Sequence, residues 1–251
     1  WKKAGIPVST TPAQYYYSTV TEIDRHIGRL IDKLKELGLF ENTIIVLSSD
    51  NGPESIDAML AYHSGVGSQG VFRGEKRSLY EGGIRVPGIV SWPAGGVPAG
   101  VIDRESVVSC MDLYPTFLEA AGIAVPAGHE IDGESRLNAF RQRSASRTTP
   151  LFWETSMQVL NKNLLNRSPR LAMREGNWKL LMFPDGSRTE LYALDKDPCE
   201  VNNLAEANPD LVKSMSARLL AWFNSTPVSS RPTERVISGW EKVLGIKPEG
   251  F

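Results

Sequence analysis

The chain has 251 residues, 28 Lys and Arg against 29 Asp and Glu, a formal net charge of -1, 41% hydrophobic residues and 23% charged ones. That composition excludes a disordered chain and offers no basic surface for a nucleic-acid partner. No apolar run approaches the roughly 18 residues of a membrane-spanning helix, so no transmembrane segment is expected.

Thr11-Pro12 reads as a helix start, with Thr as N-cap and Pro in the first turn. Tyr16, Val20, Ile23, Ile27, Ile31 and Leu34 then recur at three- and four-residue spacing on one face, and Gly38 ends the helix. The run Thr43 to Ser48 is β-branched and continuously apolar, which predicts a strand buried on both faces in a parallel sheet. A helix followed at once by such a strand implies an α/β layer.

Ser49-Asp50-Asn51-Gly52-Pro53 sits at that strand's carboxyl end, where open α/β sheets bind ligands. The glycine-rich stretch 52–83 reads as a long loop, a feature that is often functional. Ile84 to Trp92 is a second strand interrupted by Pro87 and Gly88. Val107-Val108 suggests a short strand, and Asp112 can cap a helix running to Gly122.

The texture turns polar and basic over 136–149, a domain junction. Short strands follow at 151–153, 170–174, 178–183 and 190–194, separated by the hairpin signals Gly176-Asn177 and Asp185-Gly186. Asn208-Pro209 opens a helix with Leu211, Met215, Leu219, Leu220 and Phe223 on one face. Two regions result, 1–147 and 148–251, the second a small α+β unit with an antiparallel sheet and a helix.

Several residues are suited to chemistry. The Asp50 carboxylate and the Asn51 carbonyl are hard oxygen donors suited to Ca²⁺ or Mg²⁺, although Asp-Asn-Gly is more commonly plain turn chemistry. Arg73-Gly74-Glu75-Lys76-Arg77 can meet a sulfate or phosphate, or can be a solvated charged loop. His63 lies in the same long loop, where a histidine either contacts substrate or is merely exposed. Cys110 and Cys199 have no C-x-x-C spacing and no activating neighbours, so both read as structural.

Taken in order, these segments resemble the sulfatase family of the alkaline phosphatase superfamily. Ser49 to Pro53, Arg73-Gly74-Glu75-Lys76 and Tyr80-Glu81-Gly82-Gly83-Ile84-Arg85-Val86-Pro87 carry the first part. Asp132-Gly133-Glu134-Ser135 and Arg174-Glu175-Gly176-Asn177-Trp178-Lys179-Leu180 carry the middle. Glu190-Leu191-Tyr192-Ala193-Leu194, with Asp197-Pro198 and Glu200 to Leu204, carries the end. Within the family the arylsulfatases and N-acetylgalactosamine-6-sulfatase-like enzymes are the most similar.

The resemblance implies a formylglycine-dependent sulfuric ester hydrolase that uses a divalent cation, usually calcium, on a sulfated small molecule or glycan. It makes Asp50 and Asn51 metal ligands and Lys76 the catalytic cation that grips the sulfate. His63 is expected to line the substrate loop. It also implies the fold: the second half of an alkaline-phosphatase-like mixed α/β sheet flanked by helices over 1–147, followed by the α+β domain.

The family nucleophile lies in a C/S-x-P/A-x-R stretch, and none occurs here. Cys110 precedes Met-Asp-Leu-Tyr, Cys199 precedes Glu-Val-Asn-Asn, and Ser225-Thr226-Pro227 has Ser229 where Arg is needed. The nucleophile, the acidic metal ligands and the family's Lys-x-His are therefore expected upstream of Trp1. The chain is expected to be the C-terminal part of a sulfatase, inactive alone and inclined to self-associate through an exposed sheet edge. A phosphoesterase of the same superfamily and a non-catalytic carbohydrate- or partner-binding remnant are the alternatives. Export is usual in the family, but the compartment is not legible here.

Overall fold

The computed structural model describes residues 12–54, 66–142, 146–155 and 164–226. In chain order the elements are α1 (Pro12–Glu36), β1 (Ile45–Ser48), a short α2 (Glu81–Ile84), β2 (Gly88–Ser91), α3 (Leu113–Ala120) and α4 (Leu137–Phe140). Then come β3 (Leu151–Glu154), β4 (Leu171–Glu175), β5 (Trp178–Met182), β6 (Glu190–Ala193) and α5 (Pro209–Ser225). The chain packs as two units. One holds the described residues of Trp1–Ser68 and Val86–Leu151, the other those of Gln69–Arg85 and Phe152–Phe251. The sequence placed 69–85 within the first region, but this segment packs with the C-terminal strands.

In the first unit, α1 ends where expected, and of its apolar face Tyr16, Ile27, Ile31 and Leu34 are half-buried while Val20 and Ile23 are exposed. Gly38 adopts φ +69°. Its N–H donates to the Lys35 carbonyl at 3.0 Å, and the Leu39 N–H donates to the Leu34 carbonyl at 2.8 Å, a Schellman termination. The Thr11 cap falls outside the described residues.

The strand β1 departs from expectation. It pairs antiparallel with β2, Ile45 opposite Ser91 and Ser48 opposite Gly88, and Leu47 and Ile89 are exposed. An apolar run states which side chains avoid water, not the direction of the partner strand. The Ile84–Trp92 run is also split, because Ile84 ends α2 and Pro87 has no N–H to give to a ladder. Val107-Val108 forms no strand.

Asp112 stands at the end of a 3₁₀ turn leading into α3. Its carboxylate accepts the N–H groups of Ser109 (2.6 Å) and Glu134 (3.0 Å) and pairs with Arg147. The stretch 136–149, read as a polar junction, is partly internal. Arg136 is 1% exposed and pairs with Glu134 at 2.8 Å.

The second unit is built on a four-stranded sheet in the order β3-β4-β5-β6. The pairs β4–β5 and β5–β6 are antiparallel, and Gly176 takes the positive φ that the β4–β5 turn requires. Side chains alternate across these strands. Leu171, Met173, Leu180, Met182 and Leu191 face Met215, Leu219 and Phe223 of α5. The opposite face presents Ala172, Leu181 and Tyr192, which pack with Leu79 and Tyr80. The sheet is therefore covered on one side by α5 and on the other by the 69–85 segment, here called the strap. Lys179 falls in the strap-facing register, opposite Tyr192 on β6 and Arg174 on β4.

Candidate functional site

The strand-end pair belongs to the first unit. Ser48 Oγ donates to the Pro87 carbonyl at 3.0 Å, tying the end of β1 to the chain entering β2. Beyond it Asp50 is exposed. Its Oδ1 accepts the Asn51 N–H at 2.9 Å, and Asn51 Nδ2 donates to the Gly52 carbonyl at 2.9 Å. Among the described residues Asp50 Oδ2 and Asn51 Oδ1 take part in no hydrogen bond, which leaves two hard oxygens for a cation. Calcium takes about six to eight such oxygens. Among the described residues no group of three or more His, Cys, Asp or Glu can hold a metal. The pair fits a cation as part of its ligand set.

Lys76 lies in the strap, in the second unit. The Ser78 N–H donates to the Glu75 carbonyl at 2.9 Å, so Lys76 and Arg77 are the central residues of a β-turn. Arg77 has φ +77°, a left-handed conformation that costs a non-glycine residue about 1–3 kcal/mol and persists only where the surroundings fix it.

The surroundings do so through glycine. The Gly82 N–H donates to the Arg73 carbonyl at 2.6 Å. A Cβ on Gly82 would stand 2.4 Å from the Gly74 carbonyl oxygen, and one on Gly83 would stand 2.1 Å from that of Ser78. The two limbs of the strap touch backbone to backbone, an approach that only glycine permits. Lys76 is half-buried, and among the described residues its ammonium has no hydrogen-bond or ion-pair partner.

A buried polar lattice holds the strap on the sheet. Arg73 stacks on the Tyr80 ring at 3.8 Å. It also donates to the Tyr192 hydroxyl and the Glu200 carbonyl, each at 3.0 Å. The hydroxyls of Tyr80 and Tyr192 donate to Glu190 Oε2 at 2.7 and 2.9 Å. Burial first, then the Glu190 carboxylate, pushes both phenols up, so they remain neutral donors.

At the centre Lys179, fully buried, hydrogen-bonds Glu81 Oε1 at 2.9 Å. Glu200 Oε1 is also 2.9 Å from the same ammonium, as an ion pair outside hydrogen-bond angle. Glu200 Oε2 accepts the Glu81 N–H at 2.6 Å. The two carboxyls shift oppositely. Burial raises both, and in Glu200 it prevails over Lys179 and the Glu81 N–H. In Glu81 the cations Lys179, Arg174 and Arg85 together overcome it and hold the group low.

The structure thus puts Asp50 and Asn51 side by side at the end of β1 and presents Lys76 on the strap of the other unit. His63 lies outside the described residues. Reading the sequence missed Glu81, Lys179 and Glu200 as a set. One signal was present: Lys179 occupies an alternating strand position with Leu181 beside apolar Leu180 and Met182, where a solvent-facing lysine does not belong.

Comparison with known proteins agrees with these motifs. The model of the family described as Sulfatase matches residues 5–123. A second, described as N-sulphoglucosamine sulphohydrolase, C-terminal, matches residues 67–224. Arylsulfatase K of Mus musculus is 30% identical over 219 residues, covering 86% of this chain and 36% of that protein. N-acetylgalactosamine-6-O-sulfatase of Bacteroides thetaiotaomicron is 29% identical over 218 residues, with 80% and 40% covered.

Among solved structures, Ps i-CgsB in complex with k-i-k-neocarrahexaose superposes with a TM-score of 0.74 at 26% identity, covering 95% of this chain and 49% of that one. This likeness identifies the α/β fold as alkaline-phosphatase-like. The chain spans less than half the length of each of these proteins.

Proposed function

We propose, from the premise that this chain belongs to the sulfatase family, that it forms the C-terminal part of a sulfuric ester hydrolase. The observation that carries the reading is Lys76. It is half-buried, has no partner among the described residues, and is held on a strap whose backbone leaves it little freedom. An ammonium in that state presents three donors and a charge that is not already neutralised. Its attraction for a sulfate oxygen grows as negative charge develops during cleavage of the ester, which is the condition for lowering a barrier rather than only binding substrate.

Sulfatases are typically metal-dependent. Asp50 and Asn51 are assigned as two oxygen ligands of a divalent cation, calcium in the first instance. When bound, such a cation lends positive charge to the oxygens of the ester. The 251 residues contain no C/S-x-P/A-x-R stretch, so formylglycine is assigned to sequence outside this chain, and no covalent step is derived from residues within it. His63 is assigned to substrate contact. Regions 1–147 and 148–251 are assigned as the catalytic-domain portion and the C-terminal domain, with the strap belonging to the first in sequence and packing with the C-terminal strands.

A sulfated sugar is the proposed substrate class. It is supported by the names of the relatives, an N-acetylgalactosamine-6-O-sulfatase among them, and by a neocarrahexaose complex among the similar structures. No described helix is long and apolar enough to cross a membrane. Self-association through the exposed β1–β2 edge is part of the proposal for the isolated chain, and sedimentation at rising concentration checks it.

The deciding experiment uses the full-length enzyme that carries this sequence. It should hydrolyse para-nitrophenyl sulfate in preference to para-nitrophenyl phosphate, lose activity on chelation and regain it with calcium. Preference for the phosphate ester overturns the sulfatase reading. Indifference to chelation overturns the cation assignment alone.

A further inference from the structure

We infer that Lys179, Glu81 and Glu200 form a positioning device for Lys76. This rests on the reading of Lys76 above and assigns to it three buried residues that act through the strap.

A buried lysine between two buried carboxylates is a poor way to gain stability. Desolvating three ions offsets most of what their pairing returns, and apolar side chains of similar volume commonly hold a core as well or better. What the ions supply instead is direction. Glu81 is fixed twice: its carboxylate is hydrogen-bonded by Lys179 at 2.9 Å, and its own N–H is held by Glu200 at 2.6 Å. Arg174 and Arg85, 4.0 and 3.5 Å from Glu81 Oε2, bracket the same carboxylate. These contacts set the position of Glu81 to within hydrogen-bond tolerance along more than one axis.

From Glu81 the constraint reaches Lys76 without a flexible joint. Glu81 is followed by Gly82, whose N–H is bonded to the Arg73 carbonyl and whose backbone lies against Gly74. Gly83 lies against the carbonyls of Ser78 and Glu75, and those two residues close the turn that carries Lys76. The left-handed Arg77 next to Lys76 fits this picture, since an unfavoured backbone state is retained only where neighbours over-determine it. Arg73, at the other root of the turn, is clamped between the Tyr80 ring, the Tyr192 hydroxyl and the Glu200 carbonyl. Glu200 therefore fixes both roots, one through its side chain and one through its backbone.

The test is a double-mutant cycle in the full-length enzyme on para-nitrophenyl sulfate, with the folded fraction of each variant measured by calorimetry. Lys76→Ala should lower kcat by about 10²–10³-fold. Lys179→Met should lower kcat by about 10–10²-fold, the scale set by small misplacements of a reacting group. In the Lys76→Ala background the same Lys179→Met change should cost less than about twofold, because the group being positioned is gone. If Lys179→Met costs the same factor in both backgrounds, its role is structural and the inference is overturned.

Glu200→Gln guards against a variant that does not fold. It keeps the side-chain volume and an oxygen for the Glu81 N–H while removing the charge that faces Lys179. In a folded enzyme it should give a smaller loss of kcat that also vanishes without Lys76, and wild-type kcat there would overturn the inference. If Lys76→Ala itself leaves kcat unchanged, the earlier assignment of Lys76 is the one that fails.

Discussion

The two regions that carry the proposed site residues are built in opposite ways. The strand-end pair is local: Asp50 is exposed, Asn51 is half-buried, and both are oriented by bonds to residues adjacent in the chain. The strap is global. Lys76 is placed by contacts that join Arg73 and Glu81 to Lys179, Tyr192 and Glu200, residues far along the sequence and buried together. The first region keeps its shape if its neighbours in sequence are intact. The second depends on a whole unit, since the strap packs with the C-terminal strands rather than with the unit that holds β1.

The contrast makes quantitative demands. The largest effect should come from Lys179→Ala, which leaves Glu81 and Glu200 buried without the ammonium between them. Removing one member of a buried ionic set costs about 3–5 kcal/mol, read as a lowered denaturation midpoint of the C-terminal unit. Gly82→Ala should follow. Its Cβ would sit 2.4 Å from the Gly74 carbonyl oxygen, and relief of such a clash costs about 1–3 kcal/mol through backbone shifts. It should also lower turnover by loosening the strap.

At the other extreme, with calcium chelated, Asp50→Ala should change stability by less than about 0.5 kcal/mol, as an exposed substitution away from packing does. A large loss of stability there would dissolve the distinction between the regions.

A pH dependence sharpens the picture within the first unit. Burial opposes ionisation of Glu134, but hydrogen bonds from Thr148 and Thr149 outweigh it and pull the carboxyl down to about 2. Its folded value is thus below its unfolded one, so its contribution to stability is complete above the ordinary glutamate range and fades as pH falls toward 2. Glu134→Gln should flatten the loss of stability between about pH 4.5 and pH 2, the interval between the unfolded and folded values. Thermal melts of both proteins across that interval check it.

Apolar periodicity made α1 and α5 legible, and the turn signals Gly176-Asn177 and Asp185-Gly186 marked off C-terminal strands that are largely buried on both faces. Periodicity misjudged β1, since a run of Ile44 to Leu47 reveals apolarity and not strand direction. Val107-Val108 carried too little pattern to outweigh its context, and the basic stretch at 136–149 hid a buried Arg136 whose partner, Glu134, can be recognised only once the chain is folded. Lys76, Asp50 and Asn51 stood out by resemblance. The lattice around Lys179 did not, because its members are spread from Arg73 to Glu200 and only the sheet register brings them together.

The most direct test of the account measures kcat and bound calcium in the same samples of the full-length wild type, Lys76→Ala and Asp50→Ala enzymes. Lys76→Ala should lose about 10²–10³-fold in turnover while its calcium content stays at the wild-type level, and Asp50→Ala should lose calcium and turnover together. Wild-type turnover in Lys76→Ala, or calcium lost from it as from Asp50→Ala, would contradict the division of labour between strap and strand end.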